Sequence, residues 1–366
     1  DASKKGDKVV FVEDAREALA LAACLLYPLC PKNIVAVTGT NGKSSVVSYV
    51  HQILDSLGYS SALMGTLGIE SNQKLPTDYV KNRSSLTTAD PIIFRKNLQM
   101  LADAGVDYVA FEASSHGLDQ KRLGDVAVQS AAFTSFSQDH LDYHQTMEKY
   151  LKVKLQLFSK NLLSGANAVI NGDMEYASDV QKFLDEHKIS YSLVGVNAKS
   201  KDDLKITRCL QSLLGQDIGF EFMGDSYEFK TQIVGSFQAS NILIATKLVH
   251  NLGIEMTKII KILPKIQAVT GRLQRITEAE DEFQVFVDYA HTPDALLKSL
   301  QELKGLKQSS GKLYVVFGCG GDRDPSKRPI MGKIAAQIAN RVIITDDNPR
   351  GEDPAKIRAD IMGGVV

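Results

Sequence analysis

Short apolar segments that alternate with helical segments constrain the fold of this 366-residue chain more than any other feature. The segments NIVAVTG, VDYVAFEAS, VAVQSAAFTSF, ANAVING and ISYSLVG have the length and composition of buried strands, and helical patterns separate them. This alternation predicts an α/β fold with a parallel sheet covered by helices on both faces. Residues 202–237 change to short alternating segments with Gly turns, which predicts a β-rich appendage on that sheet.

The domain organisation follows from length and from a second α/β block. One core rarely serves a chain this long, so we expect two domains and a fragment of a third. Beyond residue 271, the segments FQVFVDYAH, GKLYVVFGCGG and RVIITDDNP predict three more strands. We therefore expect a short N-terminal segment (1–13), a central domain (14–270) and a smaller Rossmann-like α/β C-terminal domain (271–366).

Composition excludes several classes of protein. Lys plus Arg (42) nearly balance Asp plus Glu (43), and no long run of one sign occurs, so nothing indicates binding to nucleic acid or to an anionic membrane. The most apolar stretch, 18–30, is too short to span a bilayer and contains a proline. Four cysteines without a C-x-x-C pair favour neither a disulfide framework nor a zinc site, and they fit a reducing cytoplasm.

Polar clusters follow the strand-like segments of both predicted domains. These clusters are TGTNGKSS, EASSHG, SFSQDHLDYH, DYAHTPDA, GCGGDRD and DDNPRGED. In open α/β sheets, ligands bind beyond the carboxyl ends of the strands. The shared position of the clusters therefore predicts one composite site between the two domains.

The cluster TGTNGKSS resembles a phosphate-binding loop. It departs from the G-x-x-x-x-G-K-[ST] pattern, because Val37 stands where the first glycine is expected and Gly39 comes two residues later. A phosphate cradle needs glycines, backbone N–H groups at a helix N-terminus, a lysine and a hydroxyl. The loop supplies Gly39, Thr40, Asn41, Gly42, Lys43, Ser44 and Ser45. An ordinary Gly-rich turn is the alternative, and the coincidence of strand, loop and helix favours phosphate binding.

The middle clusters allow two interpretations each. A carboxylate at the end of a strand, Glu112, suits a metal ion held on phosphates, and the hydroxyl and imidazole of Ser115 and His116 suit an anionic substrate. A polar turn with a helix cap explains the same residues. In SFSQDHLDYH, His140 is a candidate metal ligand, whereas solvated loop residues are an equally good explanation. Lys154 lies in an amphipathic helical pattern that, by itself, indicates a solvated side chain.

The C-terminal clusters point to a nucleotide and to a zwitterion. Asp288 and His291 suit a ribose and a base, although helix capping explains the adjacent Thr-Pro-Asp as well. GCGGDRD and TDDNPRGED each follow a strand that we expect to be buried, and each combines Arg with Asp. Guanidinium for carboxylate and carboxylate for ammonium would suit an amino acid, with a charged surface turn as the alternative.

Ten motifs together resemble one known family. They are TGTNGKSS, LTTADP, FEASSHGLD, SQDHLDYH, YLKVKLQLF, GSFQASNIL, TGRLQRI, VDYAHTPDAL, GCGGDRDPSKRPIMG and TDDNPRGEDP. They occur in the order found in the Mur ligases, so the resemblance covers nearly the whole chain. It implies a central ATPase domain of the P-loop type, followed by a C-terminal ligase domain.

The resemblance also implies an activity. Mur ligases use ATP to phosphorylate a substrate carboxylate, and an incoming amine then attacks the acyl phosphate. The motifs are most similar to those of members that add meso-2,6-diaminopimelate to UDP-N-acetylmuramoyl-L-alanyl-D-glutamate, in cytoplasmic peptidoglycan precursor synthesis. The expected partners are thus ATP, this UDP-linked dipeptide and meso-diaminopimelate, bound by a monomer. The alternatives are a lysine-adding Mur ligase, a folylpolyglutamate synthetase and a non-catalytic Mur-ligase-like scaffold.

Residue roles follow from the resemblance by motif. The implied catalytic residues are Lys43, His140 and Lys154. ATP would contact residues 39–45, Asn241, Arg272, Asp288 and His291. Thr87, Thr88, Ser115 and His116 would face the UDP-linked dipeptide, and Arg323, Asp347, Asn348 and Arg350 would bind diaminopimelate. Two Mg²⁺ ions would be held by Ser44, Glu112, His140 and Lys154, the last as a carbamate (N6-carboxylysine).

The DNPR sequence has a physical relation to the amino acid. Meso-diaminopimelate carries a second carboxylate, which Arg350 could pair bidentately, whereas a lysine substrate ends in an ammonium that the guanidinium would repel. Three features depart from the family pattern. Gln238 stands where asparagine is usual, residues 1–13 resemble only the end of an N-terminal uridine-binding domain, and the sequence stops at IMGGVV, so we expect both outer domains to be truncated.

Overall fold

The computed structural model describes residues 11–76, 86–278 and 280–365. The predicted N-terminal remnant, 1–13, therefore lies mostly outside the described residues. The described α-helices of the first 270 residues are α1 (Ala15–Leu26), α2 (Lys43–Ser56), α3 (Pro91–Asp103), α4 (Ser115–Asp119), α5 (Leu141–His144), α6 (Met147–Gln156), α7 (Ala177–Glu186), α8 (Ser236–Asn251) and α9 (Met256–Ile260). Those that follow are α10 (Pro293–Leu306), α11 (Lys327–Ile338) and α12 (Pro354–Met362).

The strands form one large sheet and two small ones. The large sheet contains β1 (Asn33–Thr38), β2 (Ser61–Gly65), β3 (Gly68–Ser71), β4 (Tyr108–Glu112), β5 (Val128–Phe133), β6 (Leu162–Asn171), β7 (Ser190–Gly195), β8 (Leu204–Ser212), β9 (Gly215–Phe222) and β10 (Asp225–Thr231). The small sheets pair β11 (Gln274–Arg275) with β12 (Phe286–Val287), and β13 (Tyr314–Phe317) with β14 (Arg341–Ile344).

The large sheet has the strand order β10-β9-β8-β7-β6-β5-β1-β4-β2-β3. Neighbouring strands run parallel from β8 to β2, and the two ends of the sheet are antiparallel. Strands buried on both faces read as continuous apolar runs, which is why NIVAVT forms a central parallel strand. The predicted parallel sheet and its β-rich appendage are confirmed.

Two hydrophobic clusters cover the two faces of this sheet. One includes side chains of α2 and α8, such as Tyr49 and Leu248, and the other includes side chains of α3 and α6, such as Phe94 and Tyr150. The carboxyl ends of the parallel strands therefore lie between the two helix layers, at one edge of the sheet. The polar clusters lie at this same edge. A separate small cluster packs α10, α11 and α12 against one face of β13 and β14.

The C-terminal strands differ from the prediction in two respects. Strand β12 has two residues and pairs antiparallel with β11, so it does not join the parallel pair β13–β14. The pair was expected to be buried, yet Tyr314, Val316 and Ile343 are about half exposed or more, at 54%, 62% and 46%. The reason is that the three helices cover only one face of this small sheet among the described residues.

Candidate active site

The phosphate-loop sequence forms a tight connection between β1 and α2. Gly39 and Gly42 have φ angles of 142° and 89°, which favour glycine, and Gly42 immediately precedes the helix. A Cβ on Gly39 would overlap the hydroxyl of Thr134 at the end of β5. The loop is fixed to that strand end, because the Thr40 N–H donates to the Ser135 carbonyl (2.7 Å) and the Asn41 N–H donates to the Ser135 hydroxyl (2.8 Å).

Two lysine amines meet at this loop. The Lys43 Nζ donates to the carbonyls of Gly39 (3.0 Å) and Thr40 (2.9 Å), and the Lys154 Nζ, from α6, donates to the same Gly39 carbonyl (2.8 Å). The Lys154 side chain is 1% exposed and lies over the Tyr150 ring. Burial lowers the pKa of Lys154 well below its usual value, and the nearby Lys43 lowers it further. The helical pattern predicted a solvated Lys154 side chain, and that prediction is therefore wrong.

A cavity of about 390 Å³ lies beside the loop, between the two domains. Six of the residues expected to contact ATP line it: Asn41, Gly42, Ser45, Asn241, Arg272 and Asp288. The other five, Gly39, Thr40, Lys43, Ser44 and His291, lie outside this lining. The size suits a small organic ligand.

Contacts between the domains converge at the mouth of this cavity. The Arg272 Nη2 donates to the Ser44 hydroxyl (2.8 Å), and the Arg272 guanidinium lies over the Tyr289 ring. The Asp288 carboxylate accepts from the Leu273 N–H (2.6 Å), so it fixes the start of the C-terminal domain. His291 is half exposed, with its Nε2 3.8 Å from an Asp139 oxygen. Asp288 and His291 thus both have a protein partner near the predicted ATP site.

Glu112 lies at the end of β4 and is 3% exposed. Its carboxylate accepts from the Thr66 N–H (2.8 Å) and the Thr66 hydroxyl (3.2 Å). Thr87 contacts the same Thr66 hydroxyl at 3.0 Å. Thr88 is buried, and its hydroxyl donates to the Glu112 carbonyl (2.8 Å), so that hydroxyl shapes the loop. Ser115 begins α4 and is 2% exposed.

Three histidine rings gather next to Lys154 and Tyr150. His116 lies 4.7 Å from His140 and 5.6 Å from His144, measured between ring centroids. Burial lowers the pKa of His140 and of His144 to about 4, so both rings are neutral at pH 7. His140 has a left-handed φ of 53° and lies 3.4 Å from the Asp139 carboxylate. Neutral imidazoles and a carboxylate are suitable for metal ligation or for proton transfer.

The donor set fits a phosphate-bound Mg²⁺ rather than a site made of protein ligands alone. Among residues 11–76, 86–278 and 280–365, no group of three or more His, Cys, Asp or Glu side chains could hold a metal ion. The Ser44 hydroxyl and the Glu112 carboxylate are hard oxygen donors, of the type that Mg²⁺ uses when substrate phosphates complete its shell. As an amine, Lys154 has no oxygen to offer, and a carbamate would supply two.

The C-terminal residues expected to bind the amino acid lie on two interlocked loops. The Arg350 Nη1 donates to the Gly321 carbonyl (2.7 Å), and the Gly321 N–H donates to the Asn348 carbonyl (2.9 Å). Arg323 lines a cleft of about 430 Å³ together with Asp142 of the central domain. Asp347, Asn348 and Arg350 are exposed. The loops thus place Arg323 opposite the SQDHLDYH segment.

Sequence reasoning passed over two residues in the interior of the site. Tyr150 is 1% exposed, and its hydroxyl lies 3.2 Å from the Thr40 hydroxyl, so it connects α6 to the phosphate loop. Arg328 is also 1% exposed, and it pairs with Glu352 (2.8 Å) and Asp360 (2.9 Å) beneath the C-terminal loops. The spacing of Tyr150 and Lys154, four residues apart on one helix face, is the signal that relates Tyr150 to the site.

Comparison with protein families identifies the class of protein to which this arrangement belongs. The Mur ligase middle domain matches residues 37–249, and the Mur ligase glutamate ligase domain matches residues 271–366. The two matches together cover the phosphate loop, the lysine pair and both C-terminal loops. The chain is therefore an ATP-dependent ligase, and it belongs to the Mur ligase family.

Individual relatives are more specific. A UDP-N-acetylmuramoyl-L-alanyl-D-glutamate–2,6-diaminopimelate ligase of Rickettsia bellii is 51% identical over 366 residues, which cover 100% of this chain and 75% of that protein. The ligase of the same name from Caulobacter vibrioides is 43% identical, over 98% of this chain and 72% of the relative. A solved structure of such a ligase superposes with a TM-score of 0.68 at 34% identity, covering 95% of this chain and 69% of its own.

A more distant likeness concerns the fold alone. Folylpolyglutamate synthase of Mycobacterium tuberculosis, complexed with ADP, superposes with a TM-score of 0.72 at 19% identity, over 97% of this chain and 84% of its own.

No helix among the described residues is long and apolar enough to cross a membrane. All four cysteines are free thiols.

Proposed function

We propose that this chain adds meso-2,6-diaminopimelate to UDP-N-acetylmuramoyl-L-alanyl-D-glutamate, with hydrolysis of ATP, in cytoplasmic peptidoglycan precursor synthesis. The observation that carries the proposal is the position of the DNPR loop. It lies in the C-terminal domain and is bonded through Arg350 to the loop that carries Arg323, which shares a cleft with Asp142. The 51% identical relative of the same printed activity supports it.

The proposed chemistry has two steps. A substrate carboxylate attacks the γ-phosphorus of ATP, so that an acyl phosphate forms and ADP leaves. The amine of diaminopimelate then attacks the acyl carbon, the C–N bond forms, and phosphate leaves with the C–O electron pair. The amine must lose a proton, and a neutral imidazole of the histidine cluster is chemically able to accept it.

Different residues of this chain would bind the phosphates, the Mg²⁺ ions and the rest of the nucleotide. The glycine loop and the N-terminus of α2 offer backbone N–H groups to phosphate oxygens, and the Lys43 amine adds a positive charge. Ser44, Glu112, His140 and carboxylated Lys154 would hold two Mg²⁺ ions, which supply charge neutralisation on the phosphates when bound. Asn241, Arg272, Asp288 and His291 would surround the rest of the nucleotide.

The state of Lys154 supports its carboxylation. An amine attacks CO₂ only when neutral, and burial keeps the pKa of this amine low. The N–C bond forms at Nζ, and a proton leaves the nitrogen to solvent. The product carries a negative charge next to the Lys43 amine, because both side chains meet at the Gly39 carbonyl. This negative charge would attract a protonated Lys43 amine, whereas the neutral Lys154 amine does not.

The amino-acid side of the proposal rests on charge. A bound diaminopimelate has one more carboxylate than a bound lysine, and a guanidinium has five N–H donors in a planar fork. Arg350 donates its Nη1 to the carbonyl of Gly321, two residues before Arg323, which lines the cleft. A lysine substrate would present an ammonium to that fork and lose affinity.

Phosphate release from ATP tests the reaction. In the full-length protein we expect release only when both the UDP-linked dipeptide and meso-diaminopimelate are present. Release with a folate substrate and glutamate, or release without the amino acid at the same rate, would contradict the proposal. The UDP-linked dipeptide with D-alanyl-D-alanine instead of diaminopimelate serves as the control for other Mur ligase reactions.

A further inference from the structure

The side chain of Gln238 connects three parts of the nucleotide cavity. It is 1% exposed, in the first turn of α8, and lines the cavity. Its Oε1 accepts from the Tyr49 hydroxyl of α2 (3.1 Å) and from the Asn241 Nδ2 (3.0 Å). Its Nε2 donates to the backbone carbonyl of Arg272 (3.3 Å), in the segment that joins the two domains.

The chemistry of these partners fixes the orientation of the amide. A backbone carbonyl only accepts hydrogen bonds, so the group that faces Arg272 must be the amide nitrogen. The amide oxygen then faces the two side-chain donors, Tyr49 and Asn241. All three polar contacts of the buried amide are therefore satisfied in one orientation only, which gives the side chain a defined position.

Each partner of Gln238 leads to a different part of the site. Asn241 packs against the phosphate loop, since a Cβ on Gly42 would overlap the Asn241 Oδ1. Arg272 carries the guanidinium that donates to the Ser44 hydroxyl. The next residue, Leu273, has a left-handed φ of 46° and donates its N–H to Asp288 of the C-terminal domain. The linker backbone thus turns sharply one residue after the carbonyl that Gln238 holds.

Side-chain length explains why glutamine can make this connection. Gln238 and Asn241 lie three residues apart on one face of α8, so their amides are neighbours. An asparagine at 238 would withdraw its amide by about one carbon–carbon bond, roughly 1.5 Å. The Arg272 carbonyl, at 3.3 Å from Nε2, would then be beyond hydrogen-bond distance unless the linker moved.

We propose that Gln238 is a positioning residue that anchors the interdomain linker to the phosphate loop. The anchor holds Arg272 and the C-terminal domain at a fixed position relative to the nucleotide. The expected effect on turnover rests on the proposed function. A second measurement, amide hydrogen exchange of the linker, does not require turnover. Loss of the anchor leaves the linker carbonyl unpaired and frees the backbone around Arg272.

The test compares Gln238→Met with Tyr49→Phe in the full-length protein. Gln238→Met keeps similar volume and removes all three hydrogen bonds of the amide, including the linker contact. Tyr49→Phe removes one hydrogen bond to the same amide and leaves the linker contact intact. Amide hydrogen exchange of the segment 270–274 is measured by mass spectrometry without nucleotide, and kcat is measured with all substrates. We expect exchange in this segment to rise about tenfold and kcat to fall about tenfold in Gln238→Met, the factor for loss of roughly one hydrogen bond.

The control separates anchoring from general packing. In Tyr49→Phe we expect exchange of 270–274 and kcat to stay within about twofold of the natural protein. Equal effects of the two variants, or unchanged exchange in Gln238→Met, would overturn the proposal. Should Gln238→Met fail to fold, Gln238→Asn replaces it with the same expectation. If the natural protein shows no turnover with these substrates, the exchange result still decides the anchoring role, and the proposed reaction alone is wrong.

Discussion

The buried amine of Lys154 gives a prediction about stability that does not depend on turnover. Lys154→Met keeps an unbranched apolar stem of similar length and removes the amine that donates to the Gly39 carbonyl. That carbonyl retains a donor, because the Lys43 Nζ also bonds to it at 3.0 Å. The variant therefore removes a titrating group without leaving the carbonyl unpaired, and we expect it to fold.

The sign follows from the protons bound in each state. In the unfolded chain Lys154 is protonated below its ordinary pKa of 10.5, whereas in the folded protein its pKa is well below that value. Between the two pKa values the unfolded state holds one more proton, so the free energy of unfolding rises with pH by about 1.4 kcal/mol per unit. This stabilisation is lost as pH falls through that window. Lys154→Met lacks this pH-dependent contribution to the free energy of unfolding.

Urea unfolding at a series of pH values measures the difference. In CO₂-free buffer, in the pH window that extends downward from the ordinary lysine pKa, we expect the slope of the natural protein to exceed that of Lys154→Met by up to about 1.4 kcal/mol per pH unit. Lys152→Met, an exposed lysine on the same helix, controls for loss of one lysine. Equal slopes for the natural protein and Lys154→Met would refute the buried neutral amine.

Bicarbonate provides a second arm of the same experiment. Carboxylation of Lys154 modifies only the folded state, so added bicarbonate should raise the free energy of unfolding of the natural protein by mass action. Lys154→Met should show no such rise, and Lys152→Met should respond like the natural protein. An equal response in all three proteins would show that bicarbonate acts elsewhere, and carboxylation of Lys154 would be contradicted.

Three further predictions concern the loops of the site. Arg350→Ala should raise the KM for diaminopimelate at least tenfold with little change in ATP affinity, because a charge-assisted pair contributes about 1.5–3 kcal/mol; an equal loss for both ligands in titration calorimetry would contradict this role. Arg328→Met should abolish amino-acid binding but not nucleotide binding, because Glu352 loses its buried partner beneath the DNPR loop; unchanged diaminopimelate binding in the same calorimetry would count against it. Gly39→Ala should eliminate ATP binding, since its Cβ would overlap the Thr134 hydroxyl at an unfavourable φ; measurable binding of a fluorescent ATP analogue would disprove the close approach.

Local sequence was sufficient to predict a strand, a tight loop and a helix at residues 33–56. Strand, glycines, lysine and helix lie next to one another in the chain, so TGTNGKSS was interpretable despite its departure from the usual spacing. The same applies to the parallel sheet, because apolar runs and helical periodicity are local patterns. Residues that act through distant contacts were less accessible, and Lys154 shows why. Its helical pattern indicates a solvated lysine, and only packing of α6 against the phosphate loop buries the amine.

Two other features depended on tertiary structure for the same reason. Gln238 was visible as a departure from the family pattern, but its contact with the Arg272 carbonyl joins residues 34 positions apart. The strands YVVF and RVII are apolar enough to predict burial, although the helices cover only one of their faces among the described residues. Composition shows that a strand is apolar enough to be buried, but the packing of the neighbouring elements determines whether the strand is buried.

A competition between amino acids tests the central claim most directly. The full-length protein is given ATP, Mg²⁺, the UDP-linked dipeptide and equal concentrations of meso-diaminopimelate and L-lysine, and the products are separated and weighed by mass spectrometry. We predict a single new UDP-linked tripeptide with the mass of the diaminopimelate adduct, formed with one phosphate released per amide bond. A lysine adduct in comparable amount, or ATP hydrolysis without any tripeptide, would contradict the proposed function.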